Sequence, residues 1–120
     1  MKSVLVVEDN ALNRDLMVQL LEDQYRVFTR EDGETGLDAM LDLDPDLVIL
    51  DLSLPGIDGL ELARRVRSDV RFKETPLVAL TAHAMPGDRE AALDAGCSAY
   101  LAAPVDENEL FDVLDSLLGA

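Results

Sequence analysis

Cysteine is nearly absent from this chain. Cys97 stands alone among 120 residues, which excludes an internal disulfide and fits a reducing compartment. No histidine lies near it in sequence, so it reads as a small buried residue and not as a nucleophile. Basic residues are scarce too: ten Lys and Arg stand against twenty-five Asp and Glu, a formal net charge of −15. A field of that sign repels phosphate backbones and anionic membranes, so nucleic acid is not an expected partner, whereas a protein with a basic face is. Much of the acid solvates exposed helix faces. Long apolar runs are missing. No stretch approaches a transmembrane helix, and the run after Met1-Lys2-Ser3 is too short for the hydrophobic region of a signal peptide. There is no glycine-rich loop of the phosphate-cradling kind either; Gly56 and Gly59 fit a turn that needs a permissive backbone. The expectation is a cytoplasmic protein with no membrane partner.

What is present is ordinary for a folded domain: 48% hydrophobic and 29% charged residues argue against disorder. The length fits one domain, 1–120, with no room for a separate output domain. Strand-like and helix-like segments alternate five times. Val4 to Val7, Tyr25 to Thr29, Leu47 to Asp51, Leu77 to Leu80 and Ser98 to Leu101 read as strands, the second nearer an edge because Arg26 and Arg30 flank it. The first helix, around Leu12 to Glu22, carries Leu12, Leu16 and Leu20 with Met17 and Leu21 at spacings of four. Asp32-Gly33-Glu34 opens a second helix, with Leu37, Met40 and Leu41, that stops at Asp44-Pro45; Asp58 caps a third, which buries Leu62, Ala63 and Val66. The fourth, about Gly87 to Ala95, offers little besides Ala91, Ala92, Leu93 and Ala95, so it is expected to be mobile. The last, Glu107 to Leu118, is specified by Leu110, Val113, Leu114 and Leu117. This alternation calls for an α/β fold, a parallel sheet with helices on both faces.

Two of the apolar runs end in carboxylates, Glu8-Asp9 and Asp51, and a third ends in Thr81. Ligands of open parallel sheets collect outside the carboxyl ends of the strands. Three acids and a hydroxyl at that edge make a hard, oxygen-rich site suited to Mg²⁺. His83, the one histidine, has no partner nearby in sequence and reads as a loop or surface residue.

Val-Glu-Asp-Asn at 7–10, Asp51 followed by Leu-Ser-Leu-Pro-Gly-Ile-Asp-Gly, Leu-Thr-Ala at 80–82 and Ala-Tyr-Leu at 99–101 together resemble the receiver domain of two-component response regulators. The resemblance covers the whole chain. Residues 81–88 and Gly96-Cys97 look most like single-domain cell-cycle receivers of the DivK type. The resemblance implies a flavodoxin-like, doubly wound sheet of five strands in the order 2-1-3-4-5. It implies a stand-alone signalling module, not an enzyme, that takes a phosphoryl group from a histidine kinase or histidine phosphotransfer protein with Mg²⁺ as cofactor. Asp51 would be the phosphoacceptor. Asp9, Asp51 and the backbone carbonyl of Ser53 would ligate Mg²⁺, with Glu8 holding a metal-bound water. Thr81 would contact the phosphoryl oxygens, and Tyr100 would be the switch aromatic that moves inward with it. A downstream protein is expected on the face made by the fourth helix, fifth strand and last helix. One position departs from the family: the lysine that precedes a proline after the fifth strand is here Ala103, before Pro104. A methyl group cannot pair with a phosphoryl oxygen, so a weakened switch is expected.

Two other functions compete. A degenerate receiver would bind its partner without phosphate, and Ala103 supports it. A small phosphohydrolase of the haloacid dehalogenase type would also use a strand-end aspartate and Mg²⁺. That chemistry needs a second aspartate two residues on, where Ser53 stands, and a lysine that this chain lacks.

Overall fold

Apolar runs that must be buried on both faces can be satisfied together only in the middle of a layered structure. The computed structural model, which describes residues 1–82 and 84–119, has that form. Its elements are β1 (Ser3–Val7), α1 (Ala11–Leu21), β2 (Arg26–Arg30), α2 (Gly33–Leu43), β3 (Leu47–Asp51), α3 (Gly59–Ser68), β4 (Leu77–Thr81), α4 (Asp88–Asp94), β5 (Ala99–Ala102) and α5 (Glu107–Leu118), with a 3₁₀ turn at Val70–Phe72. The strands are all parallel, in the order β2-β1-β3-β4-β5, so β2 does lie at an edge.

Alternate side chains of each strand go to opposite faces. Leu5, Val7, Val48, Leu50, Leu77 and Ala79 pack on one side with Met40, Leu62, Ala63 and Val66 of α2 and α3. Val4, Val6, Leu47, Ile49, Val78 and Leu80 pack on the other with Met17 and Leu21 of α1 and Leu110 and Leu114 of α5. Four of the five helices start on an Asn or Asp whose side chain accepts a backbone N–H of the first turn: Asn10, Asp32, Asp58 and Asp106. Part of the acid in this sequence is therefore spent on capping, each cap worth about 1 kcal/mol. α4 is the exception. It runs seven residues, starts on Gly87 with no side-chain cap among the described residues, and buries Ala92 alone within its length.

Several expectations shift by a residue or two. β2 begins at Arg26, with Tyr25 buried just before it; β5 is Ala99–Ala102; α4 is shorter at both ends. The 3₁₀ turn, which sinks Phe72 into the core, was not anticipated. The larger correction concerns α1. Leu12 and Leu16 are 77% and 53% exposed, while Met17 and Leu21 are buried and Leu20 partly so. The spacing of four holds for two stripes: the one through Met17 and Leu21 faces the sheet, and the other reaches the core only at Leu20. Leu41 and Leu93 are likewise exposed. Cys97 is buried as expected, and burial pushes its thiol up to about 11, which leaves it unreactive. His83 lies outside the described residues.

Candidate functional site

The register of the sheet delivers the acids to one edge. Val7 pairs with Leu50, so the next residues, Glu8 and Asp51, leave adjacent strands side by side. Carboxylate oxygens of Glu8, Asp9 and Asp51 all lie within 4.8 Å of one another. Asp51 pairs with Leu80, which puts Thr81, buried, one residue further along the same edge. Three like charges at such separation repel unless a proton or a cation intervenes.

Glu8 shows the tension most clearly. It is only 4% exposed, its N–H bonds the carbonyl of Arg30 at 3.0 Å, and its Oε1 accepts from Asn13 Nδ2 at 3.0 Å. Among the described residues, its Oε2 is buried without a hydrogen-bond partner. Asp51 beside it offers acceptors, so a bond between the two carboxyls needs a proton on one of them. Burial first, and Asp51 second, push the Glu8 carboxyl up to about 8. A divalent ion would relieve both the repulsion and the unpartnered oxygen. The donor set, all hard carboxylate oxygen, fits Mg²⁺.

The other expected residues fall as follows. Asp51 is held by the backbone N–H of Ser53, which donates to its Oδ1 at 2.9 Å, so Ser53 sits at the site through its backbone. Tyr100 is half-buried on β5 opposite Ala79; its hydroxyl is held above the ordinary tyrosine range by burial and then by the charge of Asp88 at the start of α4. It therefore lies within electrostatic reach of the start of α4. Ala103 is exposed, its N–H donating to the carbonyl of Thr81 at 2.7 Å, and a cis peptide joins it to Pro104. The side chain at position 103 thus leaves the same sheet edge as Thr81. Lys73 follows the 3₁₀ turn and precedes β4, toward the end of the sheet opposite Thr81, and Arg89 is exposed on α4.

Two residues at the site were missed in the sequence. Asn13 holds the Glu8 carboxylate, and Arg14 Nη1 donates to the backbone carbonyls of Glu8 and Asp9 at 2.9 and 3.1 Å. Arg14 also pairs with Glu31 at 3.3 Å. The available signal was the pair Asn-Arg on the first turn after the Asn10 cap, where a helix entering from a strand end points polar groups back at it.

The response regulator receiver domain family matches residues 4–115. The chain belongs to that family. The DivK polar-differentiation response regulator of Brucella ovis is 36% identical to this receiver over 119 residues, 98% of this chain and 97% of the relative. Among solved structures, a putative response regulator from Chloroflexus aurantiacus superposes with a TM-score of 0.94 at 32% identity, covering 99% of this chain and 98% of the other. The receiver domain of a sensor histidine kinase from Pseudomonas aeruginosa, with a magnesium ion coordinated in its active-site cleft, superposes at 0.91 with 34% identity over 99% and 98% of the two chains. The receiver is thus a signalling module of two-component systems, with an acidic cluster suited to Mg²⁺. Among the described residues, no helix is long and apolar enough to cross a membrane.

Proposed function

We propose that this receiver accepts a phosphoryl group on Asp51 from a phosphohistidine of a histidine kinase or histidine phosphotransfer protein, in the cytoplasm, and signals by protein contacts. The observation that carries the reading is the convergence of Glu8, Asp9 and Asp51, with a buried Glu8 oxygen left unpartnered. In the transfer, an Asp51 oxygen bonds to phosphorus as the P–N bond breaks, and the imidazole leaves with the electron pair and takes up a proton. Bound Mg²⁺ would neutralise charge on the acids and on the phosphoryl oxygens. Asp9, Asp51 and the Ser53 carbonyl would hold it, with Glu8 acting through a water. The Ser53 N–H orients the Asp51 carboxylate. The Thr81 hydroxyl, at the same edge, would contact the phosphoryl oxygens and draw Tyr100 and α4 with it. The downstream partner would read α4, β5 and α5; along β5 and α5 a groove of about 440 Å³ runs past Ala99, Asp106, Glu109, Asp112 and Val113. Its acidic lining suits a basic partner.

A second reading, a receiver that binds without phosphate, is favoured by Ala103 alone. One experiment separates the two. The protein is incubated with acetyl phosphate and Mg²⁺ and read by intact mass beside Asp51→Asn. A gain of one phosphoryl group in the parent, absent in the variant and absent with EDTA, is the expected result. No gain in the parent, or an equal gain in Asp51→Asn, overturns the phosphoacceptor assignment.

A further inference from the structure

We infer that Asn13 and Arg14 are positioning residues that set the affinity of the acidic site for a divalent cation, an inference that rests on the cation reading above. Asn10 fixes where α1 starts, because its side chain accepts the N–H of Asn13 at 3.0 Å. That register turns the Asn13 and Arg14 side chains back onto the end of β1. Asn13 Nδ2 takes one oxygen of Glu8, at 3.0 Å, and thereby decides that Oε2 is the buried oxygen without a partner. Arg14 works on the main chain. One guanidinium nitrogen gathers the consecutive carbonyls of Glu8 and Asp9, at 2.9 and 3.1 Å, and so fixes the turn from which both carboxylates project. Asp9 is exposed, so its direction depends on that backbone. The Arg14 side chain is itself only 16% exposed. Groups behind the ligands commonly change metal affinity ten- to a hundredfold.

Arg14 also brings a positive charge, which by itself would repel a cation. The two effects have opposite signs, so measurement decides between them. MgCl₂ is titrated into the parent, Asn13→Ala, Asn13→Gln, Arg14→Gln and Asp51→Asn by calorimetry, with unfolding measured in EDTA for each. The Asn13 side-chain amide is followed by ¹⁵N NMR in the parent. Asn13→Ala is expected to weaken Mg²⁺ about tenfold, with part of the loss regained in Asn13→Gln, which keeps an amide donor. Arg14→Gln is expected to weaken it several-fold despite the removed charge, and the Asn13 amide resonance is expected to move as Mg²⁺ is added. A stationary Asn13 resonance, or parental affinity in Asn13→Ala, overturns the role of Asn13 even where a variant folds poorly. Tighter binding by Arg14→Gln shows that Arg14 acts as a repelling charge and overturns its role. The cation reading fails separately, and takes the inference with it, where the parent binds no Mg²⁺ or Asp51→Asn binds it equally.

Discussion

A Cβ on Gly59 would overlap the backbone carbonyl oxygen of Asp51 and lie 2.7 Å from the Cα of Leu52. The first turn of α3 therefore seats directly against the strand end that carries the candidate phosphoacceptor, and the Gly59 N–H closes the loop onto the Leu52 carbonyl at 3.3 Å. From sequence, Gly56 and Gly59 fit one turn for one reason. They serve different ones. Gly56 has φ +70°, and beyond its chain neighbours no described residue would come within 4 Å of a Cβ there, so backbone freedom is what it supplies; Gly59 supplies space.

The two glycines should respond differently to alanine. Gly59→Ala must push the Asp51 end of β3 or the start of α3 aside, at a cost of about 1–3 kcal/mol, and should blunt the rise in melting temperature that Mg²⁺ gives. Gly56→Ala should cost roughly 1–2 kcal/mol through its left-handed backbone and leave the Mg²⁺ response whole. Thermal unfolding with and without Mg²⁺ checks both. An unchanged Mg²⁺ response in Gly59→Ala would show that the close approach does not shape the site.

Glu8 predicts an inverted pH dependence in the absence of divalent cations. Its carboxyl is raised from 4.5 to about 8 in the folded chain, chiefly by burial and then by Asp51. Between those values the folded state holds a proton that the unfolded state has released, so Glu8 makes the fold less stable as pH rises through that window. The penalty is complete above about 8, where the folded carboxyl is also ionised, and absent below 4.5. Glu8→Gln should remove this contribution. The stability difference between Glu8→Gln and the parent, from urea unfolding in EDTA, should grow by a few kcal/mol from pH 5 to pH 8. Saturating Mg²⁺, which stabilises the folded state by mass action, should offset the penalty in the parent. A difference that stays flat across the window would mean that Glu8 is ionised throughout.

Much of this architecture was legible because burial on two faces leaves few choices for five short apolar runs, and because the acids sit where those runs stop. What escaped was information carried by direction. Helical spacing could not say which of two parallel stripes on α1 meets the sheet, and Leu12 and Leu16 proved to face out. Asn13 and Arg14 escaped for a related reason: their role depends on the turn of the chain between Asp9 and Ala11, which the cap at Asn10 sets. Leu12→Ser and Leu16→Ser should therefore change the unfolding free energy by no more than about 0.5 kcal/mol, whereas Leu21→Ala or Leu114→Ala, both fully buried, should cost about 2–5 kcal/mol. A loss above 2 kcal/mol in either serine variant would place that leucine in the core after all.

Ala103 yields the sharpest test of the switch. Its N–H is tied to the Thr81 carbonyl at 2.7 Å, so a longer side chain at 103 starts beside Thr81 and has the reach of a four-carbon stem toward Asp51. The nearby Arg14 is occupied by the Glu8 and Asp9 carbonyls and by Glu31, and Lys73 lies toward the end of the sheet opposite Thr81. Without a cation at 103, the phosphorylated state lacks one charge-assisted hydrogen bond, worth roughly 1.5–3 kcal/mol. The parent should load Mg²⁺ well but couple phosphate weakly to Thr81, Tyr100 and α4. Ala103→Lys should loosen Mg²⁺ somewhat, because an ammonium now competes for the same carboxylates. It should also give an acetyl-phosphate-dependent change in amide exchange across residues 84–95 that is small in the parent. α4 is the element able to show it, being short, poorly buried and without a side-chain cap among the described residues. A full donor-dependent change in the parent, with nothing added by Ala103→Lys, would mean that another group already does the lysine's work, and the weakened-switch reading would fall.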